Sequence, residues 1–174
     1  MKYVFVNGRV AVIVRYWEQH GPVVDGGARV ELRRVEQVEG ENHRPGAAGF
    51  TVLPVSNGGL WRADLFMVLS DPGTPCFHYH PTFEHNDVGH RVEQDELTAN
   101  PREWIAGQLT DITGTLERAG AGDLVPSLDL EQHRRALPAM LAAVDACLAQ
   151  VPAALAVQAA RTTQAAGSTQ AAGA

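Results

Sequence analysis

Apolar and polar positions alternate through the first 80 residues and recur at helical spacing after residue 98. Tyr3-Val4-Phe5-Val6 and Arg9 to Val14 are apolar runs separated by Asn7-Gly8. Asn and Gly both tolerate positive φ, as a type I′ turn requires, so this segment predicts a β-hairpin. From Ala28 to Val38, Val30 and Leu32 alternate with Glu31 and Arg33, which predicts another strand. Phe50-Thr51-Val52-Leu53 is a short strand limited by Pro54. Leu60 to Leu69 is a longer one. Its two-residue period puts Trp61, Ala63, Leu65, Met67 and Leu69 on one face, and Leu60, Arg62, Asp64, Phe66 and Val68 on the other. Asp71-Pro72-Gly73 predicts a turn, and Cys76 to His80 a last strand ended by Pro81. The Gly- and Pro-containing stretches Gln19 to Gly27 and Gly40 to Gly49 read as loops.

The second half is helical. Asn100 suits an N-cap, Pro101 the first helical position and Glu103 the third. Ile105, Leu109, Ile112 and Leu116 form one apolar stripe, and Gly120 is a stop, so a helix is expected over residues 101–119. Ser127 or Asp129 can cap a second helix over 128–151, with the stripe Leu137, Leu141, Val144, Leu148 and Val151. Pro138 is expected to kink that helix or divide it. Strands first and helices later predict an α+β fold. An antiparallel sheet from residues 2–80, a sandwich or small barrel, would be covered by the C-terminal helices. Residues 1–158 form one domain on this reading. Residues 159–174, rich in Ala, Gln, Thr, Ser and Gly, are expected to be a flexible tail.

Composition narrows the function. The chain has 174 residues, 45% of them apolar, which suits one globular domain with a real core. Its net charge of −6 argues against nucleic-acid binding. The pairs Arg33-Arg34 and Arg134-Arg135 are flanked by Glu31, Glu36 and Glu131 and read as solvated faces with local ion pairs. No run approaches the roughly 20 apolar residues of a membrane span, and the opening residues do not read as a signal peptide. A cytoplasmic protein is therefore expected. Cys76 and Cys147 fit no zinc-finger spacing and are expected to be free thiols. Phosphate-binding glycine loops, Gly-x-Ser-x-Gly and Cys-x-x-Cys are missing from the sequence.

What remains is histidine. Four of the seven, His78, His80, His85 and His90, fall within residues 78–90. On an extended strand His78 and His80 point to one side with Cys76, while Phe77 and Tyr79 point to the other. Two imidazoles at this spacing can bind one metal ion, and a following turn can return Glu84 or His85 as a further ligand. Two or three His plus a carboxylate suits Fe(II), Mn(II), Zn(II) or Ni(II). An open coordination position would let the metal polarise water or substrate.

His78-Tyr79-His80-Pro81-Thr82-Phe83-Glu84 resembles the His-x-His-x-x-x-Glu core of the first cupin metal motif. The resemblance implies a curled β-sheet with a metal inside, held by His78, His80 and Glu84. Gly73 and Gly89 stand near the bracketing glycines of that motif, one residue closer to the first histidine and two residues closer to the glutamate than the pattern asks. The second cupin motif, with its fourth histidine ligand, is not present.

Two other readings compete. On one, the histidines serve metal-free acid–base chemistry, since imidazole titrates near neutral pH. Alternatively the chain is a non-catalytic domain, binding an unknown small molecule or protein, with no metal. Arg62 and Asp64 share a strand face and can orient a substrate or a metal-bound histidine. Such a pair is more often a surface ion pair worth about 0–1 kcal/mol.

Overall fold

The computed structural model describes residues 1–36, 38–40, 50–52, 55–69, 74–84, 87–152 and 154–155. The tail expected over 159–174, the loop expected at 41–49 and the turn at Asp71-Pro72-Gly73 lie outside them.

Among the described residues, nine strands come first: β1 (Lys2–Asn7), β2 (Val10–His20), β3 (Val24–Val35), β4 (Val38–Gly40), β5 (Phe50–Val52), β6 (Val55–Val68), β7 (His78–His80), β8 (Phe83–Glu84) and β9 (Asp87–Val88). Four described helices follow: α1 (Asp95–Ala99), α2 (Pro101–Thr110), α3 (Ile112–Arg118) and α4 (Leu130–Leu148). A 3-10 turn over Gly122–Ser127 leads into α4. The fold is α+β, as the pattern predicts. Five strands form one antiparallel sheet in the order β1-β2-β3-β6-β7, and β4-β5 and β8-β9 are separate two-stranded ribbons. The large sheet is open, not closed into a barrel. Its core lies between one sheet face and the helices, so closure is not needed to bury the apolar side chains.

That face carries Val10, Val12, Val14, Ala28, Val30, Leu32, Trp61, Ala63 and Leu65, all buried in a single cluster with helical residues. Burial of this apolar area is the main stabilising term, at about 25 cal/mol per Å². Ile105, Leu109, Ile112 and Leu116 are buried as expected, but the helix that carries them breaks in two. Asp111, with φ −90° and ψ 49°, ends α2 and caps α3, its carboxylate accepting the Gly114 N–H at 3.2 Å. An aspartate carboxylate competes with the helical ladder for backbone N–H groups, which explains the break. α3 then ends as predicted at Gly120, with φ 72°. The Gly120 N–H bonds Glu117 O at 3.0 Å and the Ala121 N–H bonds Leu116 O at 2.8 Å, the paired closure that a left-handed residue allows.

α4 runs unbroken through Pro138 and is capped by Asp129, which accepts from the N–H groups of Glu131 and Gln132. Its buried line, His133, Met140, Ala143, Val144 and Cys147, is rotated from the predicted stripe; Leu137, Leu141 and Leu148 sit at its margin. His133 Nε2 donates to Leu109 O at 2.7 Å, satisfying a carbonyl at the end of α2. Asn7 joins the start of α4 to the first hairpin through two bonds. Its Nδ2 donates to Asp129 O at 2.8 Å, and its Oδ1 accepts the Asp129 N–H at 2.9 Å. Gly8, with φ 56°, forms the predicted turn and also abuts this junction; a Cβ there would lie 1.9 Å from Ser127 O.

One further departure extends the sheet. Residues 19–27, read as a loop, instead lengthen β2 to His20 and start β3 at Val24, with Trp17 opposite Gly27 and Glu18 opposite Gly26. Before the first predicted helix, Asp95–Ala99 form α1, whose Leu97 is fully buried.

Candidate metal centre

The sheet face away from the helices carries the polar chemistry. β6 is the centre of it. Its alternation is as predicted: Trp61, Ala63 and Leu65 are buried in the helix-side core, which leaves Arg62 and Asp64 on the opposite face. β7 lies antiparallel to β6 with Asp64 opposite His78 and Arg62 opposite His80. On the other side, β3 places Arg29 opposite Asp64 and Glu31 opposite Arg62. Directly opposed side chains on neighbouring strands are in contact range, so the register alone assembles the group.

Asp64, His78 and His80 are 1%, 8% and 6% exposed. Their ligand-capable atoms all lie within 4.8 Å of one another, close enough to hold a metal ion. Asp64 Oδ2 is 3.3 Å from His78 Nε2 and 4.0 Å from His80 Nε2. Each imidazole is held by its other nitrogen: His78 Nδ1 donates to Cys76 O at 2.9 Å, and His80 Nδ1 donates to Gly89 O at 2.9 Å. A carbonyl can only accept, so the proton of a neutral ring resides on Nδ1 and the Nε2 lone pair faces Asp64. The carboxylate is fixed as well. Arg29 Nε donates to Asp64 Oδ1 at 2.6 Å, and the Arg29 guanidinium lies over the rings of Trp17 (4.6 Å) and Phe66 (5.2 Å). This leaves Oδ2 for the histidines; it has no well-aligned hydrogen-bond donor among the described residues.

Arg62 approaches the same point. Its Nη2 is 2.9 Å from Asp64 Oδ2 and 3.1 Å from His80 Nε2, and its Nε is buried without a partner. A guanidinium only donates, so His80 Nε2 accepts here, in agreement with the tautomer set by Gly89. Burial, reinforced by the Arg62 charge, lowers the His80 pKa, against the pull of the Gly89 bond and Asp64. Burial alone would raise the Asp64 pKa. The Arg29 hydrogen bond and the charges of Arg29 and Arg62 act against it, and the carboxyl is held below its ordinary value.

The strand face expected for His78 and His80 is therefore the one observed, and Asp64 supplies the carboxylate beside them. Arg62 and Asp64 are not a surface pair: they belong to a buried network that includes Arg29, and Glu31 beside it bridges Arg15 and Arg33 at 3.1 Å each. Glu84 is exposed on β8 and stands outside the group. His90 is exposed too, and His85 lies outside the described residues. Cys76 points toward Asp25, with Sγ 3.9 Å from Oδ2, and both cysteines are free thiols. The pairing of Asp64 with His78 had a signal in the sequence. Partners on β6 and β7 have numbers that add to 142, so their midpoint is Asp71, the first residue of the Asp-Pro-Gly sequence expected to turn.

No helix among the described residues is long and apolar enough to cross a membrane. No protein-family model matches this chain, no curated protein matches it, and no solved structure matches it.

Proposed function

We propose that this protein binds a divalent transition metal through Asp64 Oδ2, His78 Nε2 and His80 Nε2, and presents that metal to a small molecule. The observation that carries the reading is the pair of backbone anchors on the imidazole Nδ1 atoms. They turn two lone pairs toward a carboxylate oxygen in a buried site, and three electron-rich atoms facing one another attract a cation. Two histidines and one carboxylate suit Fe(II), Mn(II), Zn(II) or Ni(II) and leave coordination positions for water or substrate. Metal analysis of tag-free protein, followed by Co(II) titration, tests this. The expected result is about one metal per chain and a Co(II) visible spectrum that His78→Ala plus His80→Ala abolishes. A substoichiometric metal content unchanged in that double variant overturns it.

One observation favours a second reading, a metal-free domain that binds a ligand or a protein. Arg62 Nη2 already reaches both Asp64 Oδ2 and His80 Nε2, so the guanidinium can act as the cation of the group. On that reading wild-type protein takes up no metal, and Arg62→Gln is destabilising.

A further inference from the structure

Charge is unbalanced around Asp64. Arg29 and Arg62 both pair with this one carboxylate, an excess of one positive charge with neutral histidines. Glu31, opposite Arg62, offsets it only in part, because this carboxylate is shared with Arg15 and Arg33. A divalent metal on Asp64, His78 and His80 would raise the local excess to three. It would also take from Arg62 the two atoms its Nη2 now touches, Asp64 Oδ2 and His80 Nε2. The Arg62 side chain is only 15% exposed, and its Nε is already buried without a partner. A guanidinium so placed has a planar fork of donors and no acceptor, beside a metal with open positions. Buried charge of one sign calls for a counter-charge, and the arginine fork matches the two oxygens of a carboxylate or phosphate.

We infer that the substrate or co-ligand of the metal site is a small oxyanion, held by Arg62 next to the metal. This rests on the metal reading above. It makes Arg62 a residue with two opposed effects. Without anion the guanidinium competes with the metal for Asp64 and His80; with anion it becomes the anion's partner.

The test measures both affinities by calorimetry, with Co(II) as metal and oxalate or inorganic phosphate as probe. Wild-type protein loaded with Co(II) is expected to bind one of the two anions, and the metal-free protein at least tenfold more weakly. Preference for oxalate identifies a carboxylate ligand, and preference for phosphate a phosphoryl one. Arg62→Gln is expected to bind Co(II) more tightly in the absence of anion, and to bind the anion roughly tenfold to a hundredfold more weakly once loaded, the range of a lost charge-assisted bond. Arg62→Lys, which keeps the charge without the fork, should fall between. If Arg62→Gln does not fold, Arg62→Lys carries the comparison, with a smaller loss of anion affinity. Anion affinity that is equal with and without metal, or unchanged by either substitution, overturns the inference while leaving metal binding intact. Failure of wild-type protein to take up Co(II) at all instead overturns the metal reading and the inference with it.

Discussion

Arg29 and Asp64 stand directly opposite each other on β3 and β6, with Nε 2.6 Å from Oδ1 and both side chains buried. Removing Arg29 leaves Asp64 paired with Arg62 but takes a donor from a buried carboxylate oxygen, a loss of about 1–3 kcal/mol. Arg29→Met is therefore expected to lower the urea unfolding free energy by about that amount. Arg29→Met plus Asp64→Asn, which strips the buried Arg62 of its carboxylate as well, should be less stable still. A double variant as stable as the single one would show that Arg62 does not depend on Asp64.

The same pair gives a pH dependence. The Asp64 carboxyl is held below its ordinary value of 3.8, so the folded state binds this proton less well than the unfolded state. The resulting stability is fully present above about pH 4 and is lost as pH falls through the folded value. In Arg29→Met one of the interactions that lower this pKa is gone, and the acid-unfolding midpoint followed by circular dichroism should move to higher pH.

Thiol reactivity should also report the fold. Burial, helped by the Asp25 charge and against the pull of Arg91, pushes the Cys76 thiol up to about 11. Burial raises Cys147 as well, within the core. Only the thiolate attacks iodoacetamide. Native protein at pH 8 should alkylate slowly at both positions, with the Cys76 rate climbing toward pH 11, while urea-unfolded protein reacts at the ordinary rate. Rapid native labelling of Cys76 at pH 8 would contradict the packing described around it.

Two glycines should respond to alanine in opposite directions. Gly107 is exposed inside α2, and a Cβ there meets nothing within 4 Å. Gly107→Ala should stabilise by about 0.5–1 kcal/mol through helix propensity. Gly8→Ala meets both a positive φ and the Ser127 carbonyl, and should destabilise by more than that. Thermal melts of the two single variants decide the comparison.

His133→Leu keeps a buried apolar shape and removes the donor to Leu109 O. A buried carbonyl left without its partner costs about 1–3 kcal/mol. The expected signature is a lower melting temperature with unchanged metal uptake, since His133 lies on the helical layer away from Asp64. A change in metal stoichiometry would mean that the two layers are coupled.

Much of this was legible in local pattern. Asn7-Gly8 specified its turn, the alternation from Trp61 to Phe66 separated the two faces of β6, and the two-residue spacing aimed His78 and His80 the same way. What local pattern left open was strand register. Asp64 and His78 are fourteen positions apart, and nothing in either segment alone says which residues face each other. Hence Asp64 read as half of a surface pair and Glu84 as the nearest carboxylate. Gly26 and Gly27 misled in the other direction: glycine signals a loop by composition, yet here both lie within β3, where Gly27 lets the backbone of β6 approach, a Cβ there meeting Leu65 O at 2.0 Å.

The two hydrogen bonds between Asn7 and Asp129 tie together positions 122 residues apart. On a ribosome adding about 5–20 residues each second, the first hairpin would wait roughly 6–24 s before its helical partner is even made. Until then β2, with Val10, Val12 and Val14, lacks the helix α4 that packs against it in the finished fold. The clamp therefore couples the first hairpin to the start of the last helix, and it can close only once the chain has been made as far as Asp129.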